Sequence, residues 1–123
     1  MSAHKIFIVE DNELNLKLFR DILESCDFDV SCTKDGLEAF KMMQSIMPDL
    51  IIMDIQLHGI SGLDLIKQAK SDEHMKHIPI IAVTAFAMPE DRKKILNSGC
   101  NSYIAKPISI DTFIREVRRY LTA

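Results

Sequence analysis

Short apolar runs rich in β-branched residues alternate along the chain with longer segments whose apolar positions recur at helical spacing. This alternation marks a parallel sheet whose strands are joined by crossover helices. Five runs read as strands: Ile6–Glu10, Asp29–Thr33, Leu50–Asp54, Ile80–Thr84 and Ser102–Lys106. The third and fourth are almost continuously apolar, which predicts central strands covered on both faces.

The segments between them read as helices. The first runs from about Leu14 to Cys26, with Leu14, Leu18, Ile22 and Leu23 on its inward stripe and Asp11 or Asn12 as its cap. The second starts near Asp35, turns Leu37, Phe40, Met43 and Ile46 inward and stops before Pro48. Its Met42, Met43 and Met47 read as core filler. The third lies between Ser61 and Ser71, and the fourth between Pro89, suited to a first helical position, and Ser98, with Gly99 as C-terminal cap. The fifth follows Ser109 and reaches about Leu121, with Ile110, Phe113, Ile114, Val117 and Leu121 inward. Five such units predict a flavodoxin-like (βα)5 fold, a doubly wound five-stranded parallel sheet of order 2-1-3-4-5. In these sheets function gathers at the carboxyl ends of the strands, beside the switch point between the first and third.

The length of 123 residues predicts one domain over 1–123 with no room for an attached output domain. Fifteen Lys and Arg against eighteen Asp and Glu argue against a general nucleic-acid binder. No stretch reads as a signal peptide or membrane span, so the expectation is a cytoplasmic protein without membrane insertion. Cys26, Cys32 and Cys100 are odd in number and form no C-x-x-C, and His4, His58, His74 and His77 are scattered. Neither a disulfide framework nor a zinc site is signalled.

Placed on this scheme, Glu10 and Asp11 end the first strand, Asp54 the third, Thr84 the fourth and Lys106 the fifth, so all five meet at one edge of the sheet. Three crowded carboxylates repel one another and are costly to desolvate unless a cation sits among them. An all-oxygen set without His or Cys suits Mg2+, with Mn2+ as the alternative. A carboxylate bracketed by a metal and an ammonium is a plausible nucleophile toward a phosphoryl group, and Asp54 holds the central position.

In their order and spacing, the segments IFIVEDNE, PDLIIMDIQL, IPIIAVTAFA and YIAKPIS resemble the receiver domains of two-component signalling, over essentially the whole chain. The resemblance implies that Glu10 and Asp11 form an acidic pocket, that Asp54 is the phosphoryl acceptor and that the Gln56 main-chain carbonyl completes the protein's metal ligands. It makes Thr84 the switch hydroxyl, Lys106 the phosphoryl-pairing lysine, Tyr103 the aromatic switch and Pro107 a cis-proline turn, with a trans bond as the alternative. VEDNELNLKLF, TAFAM and KPIS look especially similar to small regulators that act on cell-cycle histidine kinases. Implied partners are sensor histidine kinases and phosphatases, and a phosphotransfer protein if the chain relays phosphate. The protein is then a signalling switch rather than an enzyme, recruited from the cytoplasm to membrane-bound kinases. His58 stands where the family usually carries proline, a departure read here as lying outside the acidic pocket.

Phosphorylating Asp54 would draw Thr84 inward and admit Tyr103 behind it, coupling the site to the face of the fourth helix, fifth strand and fifth helix. Arg115, Arg118 and Arg119 there either favour an acidic partner or stabilise the helix macrodipole. Gln56 and the apolar Phe86, each two residues past a site residue, predict a moderately long-lived phosphoryl form. Competing readings fare worse. An aspartyl-phosphate phosphatase would carry D-x-D on its first strand, and a flavodoxin would need a phosphate cradle where Glu10, Asp11 and Glu13 repel one. A phosphorelay intermediate or a constitutive pseudo-receiver docking module would retain the same residues.

Overall fold

A computed structural model describes residues 3–85 and 88–121. The strands are β1 (Lys5–Val9), β2 (Asp29–Thr33), β3 (Leu50–Asp54), β4 (Ile80–Thr84) and β5 (Ser102–Ala105). They alternate with α1 (Glu13–Ser25), α2 (Gly36–Ile46), α3 (Gly62–Ser71), α4 (Pro89–Asn97) and α5 (Ile110–Leu121). The strands form one parallel sheet of order β2-β1-β3-β4-β5, the flavodoxin-like topology expected from the alternation.

Most of the helices start where the sequence supplies an acceptor for the unpaired N–H groups of the first turn. Asn12 accepts from the Asn15 N–H, Asp35 from Leu37 and Ser61 from Leu63, while Pro89 opens α4 with no N–H of its own to satisfy. Gly99, at φ +103°, follows α4 in the left-handed region that glycine adopts at low cost. β3 and β4 are buried at every position, as central strands covered on both faces should be.

Successive strand residues point to opposite faces, so the sheet separates two cores. Phe7, Val9, Ile51, Met53, Ile80 and Ala82 pack beneath α2, α3 and α4. Ile6, Ile8, Leu50, Ile52, Ile81 and Val83 pack beneath α1 and α5, where the Phe19 and Phe113 rings stack at 5.1 Å. The same alternation carries Glu10, Asp54 and Lys106 toward the α1/α5 side, and Thr84 and Tyr103 toward the α4 side.

Met47, expected as core filler, is instead exposed as the C-cap of α2, and two further expectations need correction. Glu10 and Lys106 lie one residue past their strands, although Glu10 N still donates to Thr33 O at 3.2 Å and Lys106 N to Thr84 O at 2.7 Å. The helix stripes are also out of phase at their starts: Leu14, Leu37 and Ile110 are exposed, as is Leu18 more moderately, while Phe19, Ile22 and Leu23 carry the burial of α1. Leu14, Leu37 and Ile110 each sit in a first helical turn, which follows a strand end and overhangs the carboxyl edge of the sheet. There is little strand surface there to cover them.

The base of the site is closed by direct backbone packing of α3 on β3, where Gly62 N donates to Ile55 O at 3.1 Å. A Cβ at Gly62 would fall 2.2 Å from Asp54 O and 2.8 Å from Ile55 Cα, both backbone atoms that cannot swing aside. Gly62→Ala is therefore expected to destabilise the fold by about 3 kcal/mol, at the upper end of ordinary overpacking costs. The shift of the urea unfolding midpoint at unchanged slope measures it.

Candidate functional site

The parallel register brings the polar strand ends together without help from any loop. Val9 pairs with Met53, Asp54 with Val83 and Thr84 with Ala105, so the residues that follow each pair emerge side by side at the carboxyl edge. Glu10 and Thr84 are fully buried, Asp54 is 2% exposed, and Asp11 is half-buried at the rim. One carboxylate oxygen from each of Glu10, Asp11 and Asp54 lies within 4.8 Å of the others, the spacing of a shared cation.

Lys106 reaches into this cluster from the end of β5. Its ammonium is 3.1 Å from Glu10 Oε1 and 3.5 Å from Asp54 Oδ1. One ammonium thus faces two buried carboxylates, with Asp11 a third nearby. Glu10 responds by holding its proton: its pKa is pushed up to about 7, first by burial, then by a hydrogen bond to Asp54 and by the Asp54 charge, with Lys106 opposing the rise. Glu10 Oε1 is buried without a hydrogen bond of proper geometry, even though the ammonium stands close. A buried oxygen without a hydrogen bond, beside two further carboxylates, suits a hard divalent cation such as Mg2+.

The loop from Ile55 to Ser61 lines the rest of the site. Gln56 N donates to Asp54 Oδ1 at 3.1 Å, and the Gln56 side chain crosses to the end of β4, where Nε2 donates to Thr84 Oγ1 at 2.8 Å and Oε1 accepts from Ala85 N at 3.2 Å. Thr84 and Gln56 also border a cleft of ≈ 260 Å3 between Ser61, Leu63 and the α4 residues Asp91, Lys94 and Ile95. Tyr103 lies half-buried on the same face of the sheet as Thr84, with the Arg92 guanidinium 5.9 Å above its ring. The Lys106–Pro107 peptide bond is cis. Phe86 lies outside the described residues.

The structure corrects the reading of His58. Its main-chain N–H donates to Asp11 Oδ2 at 3.0 Å, and its Nδ1 makes a short contact with the same oxygen, so His58 is a direct neighbour of the acidic pocket. Proline, lacking the N–H, could make neither contact. Because the partners are 47 residues apart in sequence, only the fold reveals the pair.

Glu10 yields a pH prediction with a definite sign. Its folded pKa of about 7 exceeds the ordinary 4.5, so between those values the unfolded chain has released a proton that the folded protein keeps. Stability of the metal-free protein therefore falls as pH rises from 4.5 toward 7. Divalent metal must displace that proton, so Mg2+ affinity is expected to climb by up to about tenfold per pH unit below neutrality and to level off above it. Lys106→Met, which removes the charge opposing the shift, should move the climb to higher pH. Mg2+ titrations followed by amide chemical shifts across this range check both expectations.

The comparisons with known proteins agree with this geometry. A family model described as the response regulator receiver domain matches residues 6–118. The polar-differentiation response regulator DivK of Brucella ovis is 52% identical over 116 residues, covering 94% of each chain, and DivK of Brucella anthropi is 51% identical over the same length. Among solved structures, the receiver domain of a sensor histidine kinase from Pseudomonas aeruginosa PAO1, which has a magnesium ion in its active-site cleft, superimposes with a TM-score of 0.90 at 30% identity. That match covers 98% of this chain and 99% of the other. The chemotaxis protein CheY4 of Vibrio cholerae has a TM-score of 0.90 at 23% identity, covering 96% of this chain and 98% of its own, and shares the fold. With its acidic cluster at the carboxyl edge of a 2-1-3-4-5 sheet, the chain belongs to the receiver domains of two-component response regulators.

Proposed function

We propose that this protein is a phosphorylation switch in which Asp54 accepts a phosphoryl group from a phosphohistidine of a sensor kinase and thereby changes how the domain docks on its partners. The observation that carries the reading is the placement of Asp54. Its carboxylate is nearly buried, adjoins two further carboxylates that could share a cation, and has one oxygen 3.5 Å from the Lys106 ammonium. A carboxylate used only as a helix cap or surface charge accounts for none of those neighbours.

Glu10, Asp11 and Asp54, with the Gln56 main-chain carbonyl, would hold Mg2+, or Mn2+ in its stead. When bound, the cation supplies positive charge that neutralises the pocket and stabilises the oxygens of the transferring group. The protein's own groups do the rest. An Asp54 oxygen forms the new P–O bond as the P–N bond to the donor histidine breaks, and Lys106 remains as the fixed cation beside the acyl phosphate. Thr84, at the same edge, would turn from Gln56 to donate its hydroxyl to a phosphoryl oxygen, and Tyr103 would follow it as the aromatic switch. A shift from about 1% to 99% active requires a preference of about 5.5 kcal/mol for the active state, within reach of several charge-assisted hydrogen bonds.

The similarity to DivK supports a role in cell-cycle signalling, with histidine kinases and their phosphatases as partners and a cytoplasmic site of action. No helix among the described residues is long and apolar enough to cross a membrane. On this reading the domain catalyses only its own phosphorylation and dephosphorylation.

The test is intact mass after incubation with acetyl phosphate and Mg2+. Wild type is expected to gain one phosphoryl group, and Asp54→Asn or a metal-chelated sample to gain none. No gain by wild type under any condition would reject the switch and favour a constitutive docking module.

A further inference from the structure

The Gln56 side chain ties together two groups at the end of a neighbouring strand while its own backbone touches the Asp54 carboxylate. The direction of each contact is forced. The Ala85 N–H can only donate, so it must meet the Gln56 oxygen; the Gln56 Nε2 therefore faces Thr84, whose oxygen accepts. At 2.8 Å and 3.2 Å, these contacts hold the Thr84 hydroxyl and the adjoining amide against the loop after β3.

These are also the groups that an added phosphoryl group would recruit. Asp54 pairs with Val83 across the sheet, so Thr84 and Ala85 are the next residues along the adjacent strand, and they offer an O–H and an N–H at the edge where new phosphoryl oxygens would need donors. The Gln56 N–H already lies on Asp54 Oδ1, so any chemistry at that carboxylate is felt by the residue whose side chain holds β4.

We propose that Gln56 is a positioning residue that latches the unphosphorylated state: its side-chain amide holds the Thr84 oxygen on the α4 side of the sheet and occupies the Ala85 N–H, so that a phosphoryl group on Asp54 recruits the two donors only by turning both residues away from Gln56. The inference rests on the phosphoryl-switch reading and deepens it. The latch opposes activation and separates two roles of one residue: the main chain serves Asp54, and the side chain governs how readily the end of β4 responds. It also places the control of switching in the half-buried loop after β3, next to the cleft bordered by Thr84.

The test uses fluoroberyllate, a phosphoryl mimic that forms on carboxylates, at Mg2+ concentrations shown by separate titration to saturate each protein. Gln56→Met keeps the length of the side chain but loses both hydrogen bonds, and Gln56→Ala serves as a second variant should the thioether pack badly. Each is expected to bind fluoroberyllate about tenfold tighter than wild type, the consequence of no longer breaking two neutral hydrogen bonds. In amide spectra without the mimic, the Ala85 resonance of either variant should already be shifted toward its wild-type bound position, a change that a purely structural role for Gln56 would not produce. Equal or weaker binding by both variants, with wild type still saturable, overturns the latch while leaving the switch intact. Failure of wild type and variants alike to bind the mimic overturns the switch, and the latch with it.

Discussion

Glu10 and Asp54 are buried side by side at the carboxyl edge of the sheet, and the single ammonium of Lys106 is too little charge to neutralise both along with Asp11 at the rim. Removing charges from water is tolerable only when they are paired or neutralised, and here the shortfall is met by a proton on Glu10, whose pKa is pushed up to about 7. The folded protein therefore balances this one place with a proton that is released near neutrality. A cation would take the place of that proton, and a phosphoryl group together with that cation would reorganise the site. The surrounding architecture keeps the repulsion from being relaxed in any cheaper way.

Rigid elements hold the charges in position. Central strands buried on both faces fix Asp54, the register with β1 and β4 fixes Glu10 and Thr84 beside it, and the backbone contact of Gly62 with Asp54 and Ile55 prevents the carboxyl end of β3 from retreating. Carboxylates at or just past the ends of such strands have little room to move apart. Their options are protonation or a counter-ion.

The loop after β3 ties the parts of this rigid site to one another. Its backbone reaches Asp54 and Asp11 through the N–H groups of Gln56 and His58, and its side chains reach Thr84, Ala85 and Asp11. One short segment thus touches Asp54, the rim carboxylate and the end of the neighbouring strand. Individual hydrogen bonds contribute modestly to net stability, which is why such contacts can hold a resting state and still be exchanged when stronger charge-assisted bonds become available.

The amino-acid sequence alone determined the alternation of strands and helices, their caps, the burial of β3 and β4, and the convergence of Glu10, Asp11, Asp54, Thr84 and Lys106 at one edge, because these follow from local periodicity and the parallel topology it enforces. Even the split that sends Glu10, Asp54 and Lys106 toward one face and Thr84 toward the other is a period of two counted along the strands. Only the tertiary structure decided which apolar residues in the first helical turns stay exposed, as Leu14, Leu37 and Ile110 do, since periodicity cannot say where the sheet beneath a helix ends. It likewise decided that His58 meets Asp11 and that the Gln56 amide bridges Thr84 and Ala85. Those contacts join residues far apart in sequence through loops that follow no repeating pattern, and their existence depends on where the folded backbone places each donor and acceptor.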